Sequence, residues 1–282
     1  LKVPAKAHAK FKPTSIDYDA RIFSFREWDW TISLTLLHAR ARIETKPGEH
    51  QKRHLKGTNP TAATLVKQRD GRYFLHIPLT EATPEPSDPE GTLGVDLGRR
   101  RVAVDSDGEA YEADEINRVR GHYPKVRRSV QRKGTRAAHR LLNRLSGRER
   151  RHAAHINHVI SRRLVDKATA THRALVLEDL EGIRQRTRVR QADRYRHSSW
   201  SFFQLRQFIA YKAALVGVPV VFVDPAYTSQ RCHVCGEIGH RDALVFSCTK
   251  CGVFDADHNA ALNIAALGAH VAVPELRVGS LH

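Results

Sequence analysis

Apolar and polar residues alternate from Trp28. Trp28, Trp30, Ile32, Leu34 and Leu36 are apolar, and Asp29, Thr31, Ser33 and Thr35 lie between them. A period of two predicts a half-buried strand over 28–36, with both tryptophans reading as core and base stacking as the alternative. Further on, "ATLVKQRDGRYFLHIPL" sets Asp70-Gly71 between two strand-like runs. Asp-Gly suits a type I′ hairpin, whose two turn residues both need positive φ. Residues 1–80 thus read as a β-rich region, a small antiparallel barrel or sheet. "TEATPEPSDPEG" follows, and its three prolines and four acids predict a linker over 81–91.

The pattern then changes. "TLGVDLGRRRVAVDSDGEAY" predicts three strands, with a turn at Asp107-Gly108 between the last two. A long helical region is expected from Ile116 to Thr169, with Ile156, Val159, Ile160 and Leu164 as an apolar stripe. "ALVLED" and "PVVFVD" read as buried strands ending in acids. "SWSFFQLRQFIAYKAALVG" between them reads as a helix stopped by Gly217 before Pro219. The order β-β-β-α-β-α-β, closed by a last helix, predicts a mixed α/β sheet with helices packed on it.

Charge and cysteines narrow the chemistry. The 282 residues carry a formal net charge of +17. A protein that basic is expected to meet a polyanion, above all nucleic acid. From Arg118 to Arg151 there are thirteen Lys/Arg and one acid, Glu149, and "GIRQRTRVRQADRYRHSS" is a second basic stretch. The nucleic-acid candidates are Arg120, Lys125, Arg127, Arg128, Arg132 and Lys133, then Arg184, Arg186, Arg188 and Arg190. No run approaches the ~20 apolar residues of a membrane span, and no signal-peptide pattern opens the chain, so the expected compartment is the cytoplasm. The chain has no methionine and begins at Leu1, which leads us to expect a trimmed N-terminus or a fragment.

All four cysteines fall in two C-x2-C-G knuckles, "CHVCG" and "CTKCG", with twelve residues between Cys235 and Cys248. Cys232, Cys235, Cys248 and Cys251 have the composition of a closed, structural Zn2+ site. The glycine after each knuckle permits a tight turn. His233 and His240 lie close by and could replace one cysteine, but they read as solvated loop histidines. Three acids share a second setting. Asp96 lies inside "LGVDLG", Glu178 ends "LVLE" and Asp257 opens the last helix. A carboxylate in a buried strand is costly unless paired or bound to a cation. Three that converge could hold two Mg2+ ions for phosphodiester hydrolysis. Each alone could be an ion-pair partner or a helix cap, for example Asp96 with Arg99. Strand-end position also admits Asp179, Glu181 and Asp224, and physics alone leaves Asp255 against Asp257 open.

"GVDLG", "LVLEDLEGIR", "DPAYTSQRCHVCG" and "FDADHNAALNI" occur in order, and with them the chain resembles, over roughly residues 20 to 270, the transposon-encoded TnpB (OrfB) family. These are the presumed ancestors of type V CRISPR effectors. The resemblance implies an RNase H-like (RuvC) nuclease domain over 92–231 and 252–282, with a zinc ribbon inserted at 232–251. It implies an oligonucleotide-binding wedge barrel before the linker. It also implies an RNA-guided, magnesium-dependent DNA endonuclease with guide RNA and target DNA as partners. By motif, Asp96, Glu178 and Asp257 take the places of the catalytic, metal-binding acids, and the four cysteines those of the zinc ligands. Little of the family's helical recognition region is visible at the front. The alternative is a nuclease-inactive or truncated RNA- or DNA-binding regulator of transposition or transcription. Inactive relatives lack triad acids, and this chain keeps all three.

Overall fold

The computed structural model describes residues 14–68, 71–98, 100–112, 126–179 and 202–272. The chain divides into two units, Leu1–Ala82 and Thr83–His282.

The first unit holds β1 (Ser15–Tyr18), β2 (Phe23–Arg26), β3 (Thr31–Thr35), β4 (Arg40–Glu44), α1 (Glu49–Leu55), β5 (Ala63–Lys67) and β6 (Tyr73–His76). They form two three-stranded antiparallel sheets, β1-β5-β6 and β2-β3-β4. Tyr18, Phe23, Ile32, Leu34 and Ala63 are buried together between them. The strand expected from Trp28 starts only at Thr31. Asp29 is the reason: its Oδ1 accepts the Thr31 backbone N–H at 3.2 Å and the Thr31 hydroxyl at 2.7 Å. That local turn competes with extension, and Trp30 takes φ +53°. Trp28 is therefore 76% exposed rather than core, with Arg26 stacked over it. Lys67 pairs with Tyr73, which leaves five residues in the β5–β6 hairpin rather than two. Gly71 supplies the positive φ, +89°, and Asp70 lies outside the described residues.

The second unit is built on a five-stranded sheet in the order β11-β10-β7-β8-β9. Its strands are β7 (Gly91–Asp96), β8 (Arg101–Asp105), β9 (Ala110–Glu112), β10 (Arg173–Glu178) and β11 (Val220–Val223). β10 lies parallel to both β7 and β11, and β8 runs antiparallel to β7 and β9. The helices are α2 (Arg136–Ala170), α3 (Phe202–Leu215) and α4 (Ala256–Ala272). The proline-rich stretch before β7 is tied down: Ser87 N–H donates to Gly217 O and Glu90 N–H to His172 O, both at 2.8 Å.

Strand parity decides what each face carries. Leu93, Val95, Leu175 and Leu177 pack with Ile160 and Leu164 of α2 and Leu205 and Ile209 of α3. Gly94 and Val176 point the other way, under α4, where Val176 meets Ile264. Within α2, Val159 is 41% exposed and leaves the expected stripe; Val165 and Ala168 replace it. The long helical region is also interrupted. Residues 126–131 are helical, Gly134 takes φ +58°, and the Thr135 side chain caps α2 through the Ala138 N–H at 3.1 Å. Residues 113–125 lie outside the described set. α3 ends as expected, with Gly217 at φ +73°.

Gly94 lets α4 lie against the sheet. A Cβ there would sit 2.2 Å from Ala261 O and 2.4 Å from Ala265 N, both backbone atoms. Gly94→Ala is expected to destabilise the protein by roughly 3 kcal/mol. Chemical denaturation checks it; an unchanged midpoint would contradict this packing.

Candidate functional site

Parity and register bring the acids together. Asp96 is two residues beyond Gly94, and Glu178 two beyond Val176, so both belong to the α4 face. Each ends its strand, and β7 and β10 are parallel neighbours, so both carboxylates leave the same end of the sheet. Asp257 is in the first turn of α4, the helix lying on that face. Asp179, one residue further along than Glu178, emerges on the opposite side and pairs with Arg206 of α3 at 2.8 Å. Asp224 accepts the Ala226 N–H in a local turn, and Glu181 lies outside the described residues.

The electrostatics show the convergence. Burial, then the charges of Glu178 and Asp257, push Asp96 up to about 7. Burial also raises Glu178, against a hydrogen bond from Thr228 and the charge of Arg241. Burial raises Asp257 as well, opposed by Arg241 and Arg101. Asp96 and Asp257 are buried, at 8% and 3% exposure. Arg99 lies outside the described residues, so the pairing of Asp96 with it is not described.

Asp255 and Asp257 separate by environment. Asp255 is the cap of α4: its Oδ1 accepts the backbone N–H groups of Asp257 at 3.1 Å and His258 at 3.0 Å. Arg101 grips both of its oxygens, at 2.8 and 2.7 Å. Against the cost of burial, these contacts hold Asp255 below the usual carboxylate range. Asp257 is the deeper acid and faces the cluster.

Two cations stand among these acids that the sequence reading missed. Arg241 Nη2 donates to Asp257 Oδ1. Arg101 Nη1 approaches the other Asp257 oxygen at 3.6 Å. Neither sits in a pattern that announces it; Arg241 reaches the site only through a hairpin folded by the cysteines. Asn259 and Asn263 were also missed, although two amides four apart on an apolar helix are a legible signal.

The hairpin comprises β12 (His240–Asp242), β13 (Val245–Cys248) and β14 (Gly252–Asp255), all antiparallel. Gly236 and Gly252, the glycines after the knuckles, take φ +76° and +96°. The four Sγ atoms of Cys232, Cys235, Cys248 and Cys251 lie within 4.8 Å of one another, with Cys235 and Cys248 at 3.6 Å. Four thiolates around one tetrahedral ion at ~2.3 Å would stand about 3.8 Å apart, so the donor set fits a soft metal ion. Among the described residues, only this group of possible ligands closes to that spacing; the three carboxylates do not. His233 is not a solvated loop residue. Asn259 Oδ1 accepts its backbone N–H at 3.0 Å and lies 2.9 Å from its ring Nδ1, and Phe254 packs edge-on to the ring.

Of the basic candidates, Arg128, Arg132 and Lys133 are exposed and Arg127 is half-buried. Arg120, Lys125, Arg184, Arg186, Arg188 and Arg190 lie outside the described residues. α2 continues the basic face with exposed Arg136, Arg140, Arg144, Arg148 and Arg151. Among the described residues, no helix is long and apolar enough to cross a membrane.

Residues 202–264 match the family model described as Cas12f1-like, TNB domain. A TnpB-like protein of Methanocaldococcus jannaschii is 28% identical over 193 residues, covering 64% of this chain and 69% of that protein. The CRISPR-associated endodeoxyribonuclease Cas12f1 of Syntrophomonas palmitatica is 30% identical over 209 residues, covering 67% of this chain but 41% of that protein. A cryo-EM structure of a Cas12f1-sgRNA-target DNA complex superposes with a TM-score of 0.52 at 15% identity, over 83% of this chain and 66% of that one. The overall fold is thus shared with the solved Cas12f1 structure. The chain is similar in sequence to TnpB-like proteins and to the type V CRISPR effector Cas12f1.

Proposed function

We propose that the chain is an RNA-guided DNA endonuclease of a transposon, cutting phosphodiester bonds at Asp96, Glu178 and Asp257. The observation that carries this reading is the placement of buried Asp96 and part-buried Glu178 at one sheet end, on the face covered by the helix whose first turn carries buried Asp257. The strand order β11-β10-β7-β8-β9, with β8 alone antiparallel to its neighbours, supports an RNase H-like (RuvC) nuclease domain. The names of the relatives supply the substrate class.

The acids form a hard, oxygen-rich site suited to two Mg2+ ions, and the cysteines a soft one suited to a structural Zn2+. Magnesium, when bound, supplies activation of water and stabilisation of the leaving oxygen. The protein's part is placement. β7 and β10 fix two carboxylates in register, and α4 fixes the third. Arg241 and Arg101 offset their mutual repulsion. The exposed arginines of 128–151 suit the backbone of a guide–target heteroduplex, which is held by charge rather than read base by base.

Sequencing the RNA that co-purifies with the protein, expressed beside its own flanking DNA, tests the guided reading. One discrete species with a constant scaffold is expected. Heterogeneous cellular RNA would contradict guidance.

A further inference from the structure

Glu178 sits at a strand end with its backbone set by pairing to Val223. Its side chain still has three rotatable bonds, so a defined orientation needs a partner. Thr228, 3% exposed, provides one: its Oγ1 donates to Glu178 Oε1. The same Oγ1 lies 3.1 Å from Pro225 O. A hydroxyl has one proton, and the carboxylate is the stronger acceptor.

Thr228 is itself held from α4. Asn263 Nδ2 donates to Thr228 O and to Arg231 O, both at 2.8 Å. One turn earlier, Asn259 Nδ2 donates to Arg231 O at 2.7 Å. Asn259 Oδ1 accepts the His233 backbone N–H on the far side of Cys232. Asn259 is 1% exposed, so its own amide group is shielded from water. The helix that presents Asp257 therefore also grips the loop leading into the first cysteine knuckle.

We infer that Thr228 is a positioning residue for Glu178, locked by Asn259 and Asn263, so that α4 and the knuckle loop together set the orientation of a sheet carboxylate. The inference rests on reading the acids as a divalent-metal centre. With one Glu178 oxygen engaged by Thr228, the other is left to face Asp96 and Asp257.

Manganese alone, added to the zinc-loaded full chain and followed by electron paramagnetic resonance, reads the centre without any cleavage assay. Thr228→Val keeps the shape and removes the hydroxyl; it should weaken manganese binding about tenfold. Thr228→Ser should restore binding to within about twofold of the parent, since the hydroxyl returns. Parent-like binding by the valine variant overturns the inference, as does a serine variant as weak as valine. If the valine variant does not fold, Asn263→Ala, which releases the Thr228 carbonyl, must show the same weakening; parent-like binding there overturns it. Glu178→Gln sets the baseline. A parent that binds no more tightly than this variant overturns the metal centre, and the positioning role with it. Tight parent binding that Thr228→Val leaves unchanged overturns the positioning role alone.

Discussion

Asp96→Asn is expected to reduce magnesium-dependent DNA cleavage by about a thousandfold or more, while making the EDTA-treated protein harder to unfold at pH 8. The two effects share a cause. Asp96 is buried beside Glu178 and Asp257, and ionising it there is costly, so its carboxyl titrates at about 7 rather than 3.8. Between those values the folded protein keeps a proton that the unfolded chain has lost. Stability contributed by that proton is full below about pH 4 and is lost as pH rises to about 7. The asparagine variant has no such loss. Its advantage over the parent should be absent near pH 4 and reach several degrees in Tm at pH 8, the ceiling being on the order of 4 kcal/mol. Thermal melts at the two pH values check this. A variant less stable than the parent at pH 8 would mean that Asp96 is held by a favourable partner instead.

Stripping the cysteine site is the second large perturbation. Cys232→Ser combined with Cys235→Ser, or chelation of zinc, is expected to abolish cleavage although all three acids remain. β12, β13 and β14 have only three or four residues each, and their own core is Cys232, Phe246, Cys248 and Ala256. So small a body cannot bury enough apolar surface to order itself, and a metal ion held by the four thiolates would supply the difference. β14 runs directly into α4, and Arg241 of β12 pairs with Asp257. Losing the ribbon therefore frees the first turn of α4. Hydrogen exchange should rise across 231–257 while Leu93, Val95, Leu175 and Leu177 of the central sheet stay protected. Unchanged protection of 231–257 after zinc removal would show that the cysteines do not order this region.

What the sequence discloses depends on the range of the force involved. β7, β8 and β10 were legible because buried strands read as continuous apolar runs between turn signals; β11, expected to be buried as well, lies at the sheet edge with Val223 buried and Phe222 exposed, because an apolar run does not say how many neighbours a strand has. The stop of α3 at Gly217 follows from local backbone chemistry. The Trp28 strand misled, because a period-two pattern does not register that Asp29 can turn the chain on itself. Val159 misled for a related reason: helical spacing defines a stripe, and the sheet below decides its width. Glu178 and Asp179 are adjacent in sequence and opposite in fate. Parity separates them, but only once Val176 is known to lie under α4. Arg241 and Thr228 reach the acids across 16 and 50 residues of chain, through contacts that exist only in the folded protein, Arg241 from β12 and Thr228 from the loop after β11.

The most direct test of the carboxylate centre is cleavage of matched target DNA by the purified protein–RNA complex, comparing the parent with Asp257→Asn in magnesium. The parent should give cut DNA that EDTA suppresses, and the variant should bind the same DNA and leave it whole. Equal cutting by the two would place the chemistry elsewhere and contradict a centre built from Asp96, Glu178 and Asp257.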